Sequence, residues 1–268
     1  MIDLQKISGL PIFLDKKNLE LELRGDFPSV KKSARTLAEL EPYLKTSGVG
    51  SGPDPVYRMW REAHLESDDQ NIGVRNLRYD LTLLAQGRIN GDEFVKTAGH
   101  FHEVKTGTGL GYPEIYEVLS GRGYFLIQKM DEAFSRAEEV YLIEAAPKEK
   151  VLVPPGFGHT TINVYDEPLL VANWVGATMS YNYEPYKKYR GAAYHLVGNE
   201  VGGIDILKNS NYGDVPEIKK IKARELPKFG LIESRPMYEL ARDLNKLRFL
   251  NYPEEFANDI DTKIIYNF

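Results

Sequence analysis

The chain has 268 residues, 42% hydrophobic and 27% charged, which suits a folded globular protein and excludes a largely disordered one. A net charge of −5, with Lys187-Lys188-Tyr189-Arg190 as its most basic stretch, gives no footing for nucleic acid as a partner. The lack of cysteine removes disulfides, thiolate catalysis and Cys-type zinc sites. No segment approaches the ~20 apolar residues of a membrane span, and Met1 to Leu14 has no signal-peptide core, so a cytoplasmic chain with no membrane partner is expected.

In chain order, Leu19, Leu21 and Leu23 alternate with Glu20 and Glu22, the two-residue period of a half-buried strand. Thr36-Leu37-Ala38-Glu39 has the form of a capping box and predicts a short helical turn ending near Pro42. Residues 47–55, rich in glycine and proline, read as a loop. From Val56 to Val175 one short strand follows another: Leu77, Tyr79, Leu81 and Leu83 alternate with polar partners, and runs such as 123–127, 140–143, 151–153 and 169–172 are aromatic or branched and bounded by Gly, Pro or Asp. Many short strands without long helices between them predict a mostly β sandwich or barrel. Near the end, Ser234 and Pro236 precede Met237, Leu240, Ala241, Leu244 and Leu247, which predicts a capped helix near 235–250 within a C-terminal extension, 201–268, appended to a barrel domain, 1–200.

The chemistry-bearing residues form two clusters. The first is Gly99-His100-Phe101-His102, followed by Pro113-Glu114-Ile115-Tyr116 and Gly121. The second is Pro154-Pro155-Gly156-Phe157-Gly158-His159, ending at Asn163. On a strand, residues two apart share a face, so His100 and His102 project together. With Glu114 and His159 they make a three-imidazole, one-carboxylate set suited to one divalent transition ion per chain. Fe²⁺ is the first expectation, with Mn²⁺, Zn²⁺, Ni²⁺ and Co²⁺ compatible. His64 and His195 fall outside the pattern and read as ordinary packed or surface residues.

The two clusters resemble the paired motifs of the cupin superfamily, small double-stranded β-helix (jelly-roll) barrels with a metal in the mouth. Thr97-Ala98-Gly99-His100-Phe101-His102, Glu114-Ile115-Tyr116 and Val153-Pro154-Pro155 are further similar to the cupin-type phosphoglucose isomerases, as are Lys31-Lys32-Ser33-Ala34-Arg35, Asp54-Pro55-Val56-Tyr57 and Thr82-Leu83-Leu84. The resemblance runs from about residue 28 to about 185. It implies interconversion of glucose 6-phosphate and fructose 6-phosphate, with Glu114 as a ligand and candidate general base. It also implies a sugar-phosphate site at Tyr57, Thr82, Thr97, Gly99, Tyr116 and Tyr183.

Four departures mark this chain: a long insert, 103–113, between His102 and Glu114; Lys148 where the second motif begins with glycine; Ala98 where the family has lysine; and Trp174 where it has tyrosine. Arg75, Arg78 and Arg88 are the candidates to replace the missing charge. The competing classes are an Fe²⁺ oxygenase and a non-catalytic sugar-binding barrel. Barrels of this kind commonly pair through edge strands, so a homodimer is expected; a single-chain mass by light scattering would refute it.

Overall fold

The computed structural model describes residues 1–266 apart from Ser29 and Val49. Three short strands, β1 (Ile2–Asp3), β2 (Ile12–Asp15) and β3 (Glu20–Leu23), form a small antiparallel sheet. After them come β4 (Lys31–Arg35), β5 (Tyr57–Arg61), β6 (Leu77–Leu84), β7 (Arg88–Ile89), β8 (Glu93–Lys96) and β9 (Phe101–His102). The middle of the chain supplies β10 (Glu114–Ser120), β11 (Gly123–Met130), β12 (Ala137–Ala145), β13 (Lys150–Val153), β14 (Phe157–Asn163) and β15 (Leu169–Gly176). The remaining strands are β16 (Tyr181–Asn182), β17 (Tyr194–Gly198), β18 (Ile204–Lys208) and β19 (Lys219–Lys222).

Two large sheets enclose the barrel. One is six-stranded in the order β13-β10-β15-β6-β5-β4; the other is eight-stranded, β18-β17-β8-β14-β11-β12-β19, with β7 on β8. From β12 to β15 successive strands alternate between the two sheets, as in a jelly roll, and the expected mostly β barrel is present. β18 and β19 complete the second sheet, although both lie beyond the boundary at 200 that the sequence suggests. Among the described residues no helix is long and apolar enough to cross a membrane.

Strand alternation divides the apolar residues into two cores. Tyr57, Leu84, Tyr116, Val118, Val153 and Val171 point into the barrel, where they meet Phe125, Ile127, Phe157 and Ile162 of the facing sheet. The intervening residues of the first sheet, among them Trp60, Leu77, Tyr79, Leu81, Leu83, Ile115 and Trp174, point outward. There they are covered by the N-terminal strands and the C-terminal extension. The leucine face of β6 is thus the outer one, and its polar face, Arg78, Asp80 and Thr82, looks inward.

Several local expectations are met. The Thr36–Glu39 capping box is complete and opens a helix over Leu37–Leu40. Lys148 adopts φ 77°, the left-handed backbone that glycine takes without cost, so this departure keeps the turn at the expense of local strain. The 103–113 insert is paired through Val104 and Gly111, and Lys105 Nζ ties it to Asn251 O (2.9 Å) and Glu254 Oε1 (2.6 Å) of the extension.

Two expectations need correction. A nine-residue helix, Glu66–Val74, interrupts the run of strands; its acidic first turn suits the helix dipole, but Ile72 is its only buried side chain, so apolar periodicity gave no signal. The helix expected near 235–250 is two 3₁₀ helices, Met237–Arg242 and Leu244–Leu250, divided at Asp243 and without side-chain caps. Met237 and Leu240, then Leu244, Leu247 and Leu250, recur every three residues within each piece, the period of a 3₁₀ ridge. The extension is pinned by a buried pair: Glu117 and Lys150 lie 2.8 Å apart, Glu117 Oε2 accepts from Met237 N, and Lys150 Nζ donates to the carbonyls of Ile232 and Arg235.

Candidate metal centre

His100 lies between β8 and β9 and makes an antiparallel bridge to His159 of β14, with His100 N to His159 O at 3.2 Å and His159 N to His100 O at 3.0 Å. This pairing brings the two sequence clusters together. Gly99 makes the approach feasible: it has φ 73°, and a Cβ there would stand 2.5 Å from the Tyr186 ring. At Gly158 a Cβ would meet the Phe101 ring at 2.5 Å, so Phe101 packs over the strand while its histidine neighbours turn the other way. Glu114 opens β10, paired with β13 and β15.

The four expected ligands converge. One donor atom from each of His100, His102, Glu114 and His159 lies within 4.8 Å of all the others. His100 Nε2 is 3.2 Å from His102 Nε2, and Glu114 Oε2 is 3.2 Å from His102 Nε2 and 3.1 Å from His159 Nε2. Neighbouring ligands at right angles on one ion, with bonds of about 2.1 Å, sit about 3 Å apart. These separations fit that arrangement.

The supporting contacts aim the lone pairs. His102 Nδ1 lies 2.8 Å from Tyr112 O, a carbonyl that can only accept, so the proton sits on Nδ1 and Nε2 faces the centre. Asn173 Nδ2 donates to Glu114 Oε1 at 2.7 Å, fixing the carboxylate with Oε2 toward the imidazoles. Burial presses the Glu114 carboxyl upward, but its contacts with His102 and His159 outweigh this and hold it well below the ordinary carboxylate range. Burial also drives the imidazoles of His100 and His159 below their ordinary value. An ionised carboxylate beside the imidazoles of His100 and His159, both biased to the neutral form, suits the donor set of a divalent transition ion.

Two of the four expected ligands, His100 and Glu114, line a cavity inside the barrel. Tyr57, Thr82, Thr97, Gly99, Tyr116 and Tyr183, the six expected substrate residues, all line it. Burial and the Glu114 charge push the Tyr116 hydroxyl well above its ordinary value, so it remains a proton donor; it lies 2.9 Å from His159 Nε2. Trp174 points away from the cavity into the outer core, where its Nε1 donates to Met237 O, and Asn173 takes the inward position. Of the arginines considered for the missing charge, Arg88 packs over the Phe94 ring and Arg75 borders a separate cleft beside Leu244 and Leu247. Arg78 is bound to Asp80.

Arg61, Asp80, Asn173 and Tyr181 are among the cavity residues that escaped the sequence reading. The strand period held a signal for two of them. Arg61 shares a face with Tyr57 through Met59, and Asp80 shares one with Thr82. The two remaining histidines are buried outside the cluster: His64 Nε2 meets Asp69 at 2.8 Å, and His195 Nδ1 meets Glu93 at 3.2 Å.

Comparison with known proteins agrees with this geometry. A glucose-6-phosphate isomerase from Pyrococcus furiosus is 28% identical over 197 residues, 70% of this chain and 92% of that protein. One from Thermococcus litoralis is 28% identical over 164 residues, 59% and 77% of the two chains. A cupin-2 domain from Rhodospirillum rubrum superposes with a TM-score of 0.34 at 13% identity, covering 59% of this chain and 77% of that one, too distant to bear on function. The family model described as glucose-6-phosphate isomerase matches residues 31–213, well over half of the sequence, and the chain belongs to that family.

Proposed function

We propose that the chain is a metal-dependent aldose–ketose isomerase interconverting glucose 6-phosphate and fructose 6-phosphate. One arrangement carries the reading: three imidazoles and a carboxylate with donor atoms gathered at one point, two of them, His100 and Glu114, lining a hydroxyl-bearing cavity, in a chain of the glucose-6-phosphate isomerase family. His100, His102, Glu114 and His159 would hold the ion, with Fe²⁺ first among the candidates. A divalent ion there supplies polarisation of the carbonyl and hydroxyl oxygens of an open-chain sugar.

The chain's own groups supply the rest. Hydroxyls of Tyr57, Thr82 and Thr97 and the backbone at Gly99 bind the phosphate and polyol. Tyr116 donates a hydrogen bond from a phenol that stays protonated. Tyr181 and Tyr183 present rings at the same cavity and limit the entry of water.

Glu114 is poorly placed to act as a free base, since Oε1 is held by Asn173 and its basicity is depressed. Asp80, the other carboxylate lining the cavity, accepts from Arg78 at both oxygens. The reading therefore has hydride pass directly between C2 and C1 while the hydroxyl proton passes between O2 and O1, with Glu114 serving as a ligand. An oxygenase would have no use for the hydroxyl wall.

The test is formation of glucose 6-phosphate from fructose 6-phosphate in a coupled assay. Turnover should vanish on chelation and return when a divalent transition metal is added back. No metal-dependent product would remove the isomerase reading.

A further inference from the structure

β5 places Tyr57, Met59 and Arg61 on the inner face and Trp60 in the outer core, so alternation along one strand delivers a guanidinium to the cavity. Among the described residues lining that cavity, Arg61 alone carries a permanent positive charge. The hydroxyls and backbone groups near Thr97 can orient an anion, but they bring no charge to offset it, and Ala98 between Thr97 and Gly99 adds none.

Arg61 is also the surplus partner in its own cluster. Arg78 Nε donates to both oxygens of Asp80, at 3.0 and 2.9 Å, and Glu62 N donates to Oδ1 at 3.0 Å. Arg61 Nη1 reaches Oδ2 only at 3.3 Å. Two guanidiniums on one carboxylate leave this cluster a net positive charge, while the cavity's other carboxylate, Glu114, faces His102 and His159. The ring of Tyr181 lies beside both, with the Arg61 Cζ 5.8 Å and the Arg78 Cζ 5.9 Å from its centroid, and its hydroxyl accepts from Arg78. The Arg61 side chain is 31% exposed while Asp80 is 6% exposed, so the carboxylate is enclosed and the guanidinium keeps an accessible side.

From this we propose that Arg61 holds the phosphoryl group and selects for a phosphorylated sugar, which rests on the hexose 6-phosphate reading above. A planar fork of donors matches a phosphate bidentately, and at a cavity wall that pairing is stronger than in bulk water.

Arg61→Met should raise KM for fructose 6-phosphate by on the order of a hundredfold, with kcat changed far less, because the phosphoryl group lies away from the reacting carbons. Arg61→Lys should recover part of the loss and carries the same test if the Met variant folds poorly. Calorimetric titration with inorganic phosphate should show binding to the wild type that weakens in parallel. Unchanged phosphate affinity in both variants would overturn the assignment, as would a loss confined to kcat. A wild type that binds phosphate through Arg61 but does not turn over fructose 6-phosphate would instead overturn the isomerase reading and leave the anion site standing.

Discussion

Glu114→Gln is expected to lower isomerase turnover at limiting metal by roughly a hundredfold, most of it through weaker metal binding. The substitution keeps an oxygen facing His102 and His159 but removes the negative charge that balances the ion. It also puts an amide where Oε1 now accepts from Asn173. Because the loss lies in affinity, raising the metal concentration should recover a large part of the rate. A general base would behave differently, since added metal cannot restore a missing proton acceptor. Running the wild-type reaction in D₂O separates the routes: direct passage leaves no deuterium on the product carbon, the result expected here, whereas transfer through an exchanging base incorporates it. Wild-type activity in Glu114→Gln at limiting metal would rule out any role for the carboxylate.

Metal binding should also be a stability event of similar weight. The metal-free site buries a carboxylate beside three imidazoles, and an ion bound to the folded state alone adds about 3–4 kcal/mol at 100 to 1,000 times its dissociation constant. For a chain of this size that corresponds to a rise in Tm of about 5–10 °C between chelated and loaded protein. His159→Ala should abolish most of the rise. Its imidazole is one of only two within 3.2 Å of Glu114 Oε2, and it joins the two motif segments. Equal melting temperatures with and without metal in the wild type would contradict the account.

Much of the site was legible because its chemistry follows the strand period. His-x-His fixes two ligands on one face, and the glycines around His100 and His159 permit a bridge that no bulkier residue would allow. Arg61 and Asp80 were equally available to that rule, as inward neighbours of Tyr57 and Thr82. Both lie just outside the family-like segments 54–57 and 82–84, so only the strand period marks them.

Trp174 is a different case. It stands where the family has tyrosine, and β15 turns it outward and Asn173 inward; a one-residue shift reverses the face of every side chain. The outer core explains the rest. Leu77, Tyr79, Leu81 and Leu83 have the alternation of a barrel strand, yet their apolar face serves the extension, and the sequence contains nothing that says which face is inside. The helix expected near 235–250 failed on period: apolar residues three apart satisfy a 3₁₀ ridge as readily as a broad helical stripe.

The most direct test of the central claim is anomalous diffraction from metal-loaded crystals at the absorption edge of the bound ion. One peak per chain is predicted, about 2.0–2.2 Å from Nε2 of His100, His102 and His159 and from an oxygen of Glu114. A peak held by other side chains, or none at saturating metal, would contradict it.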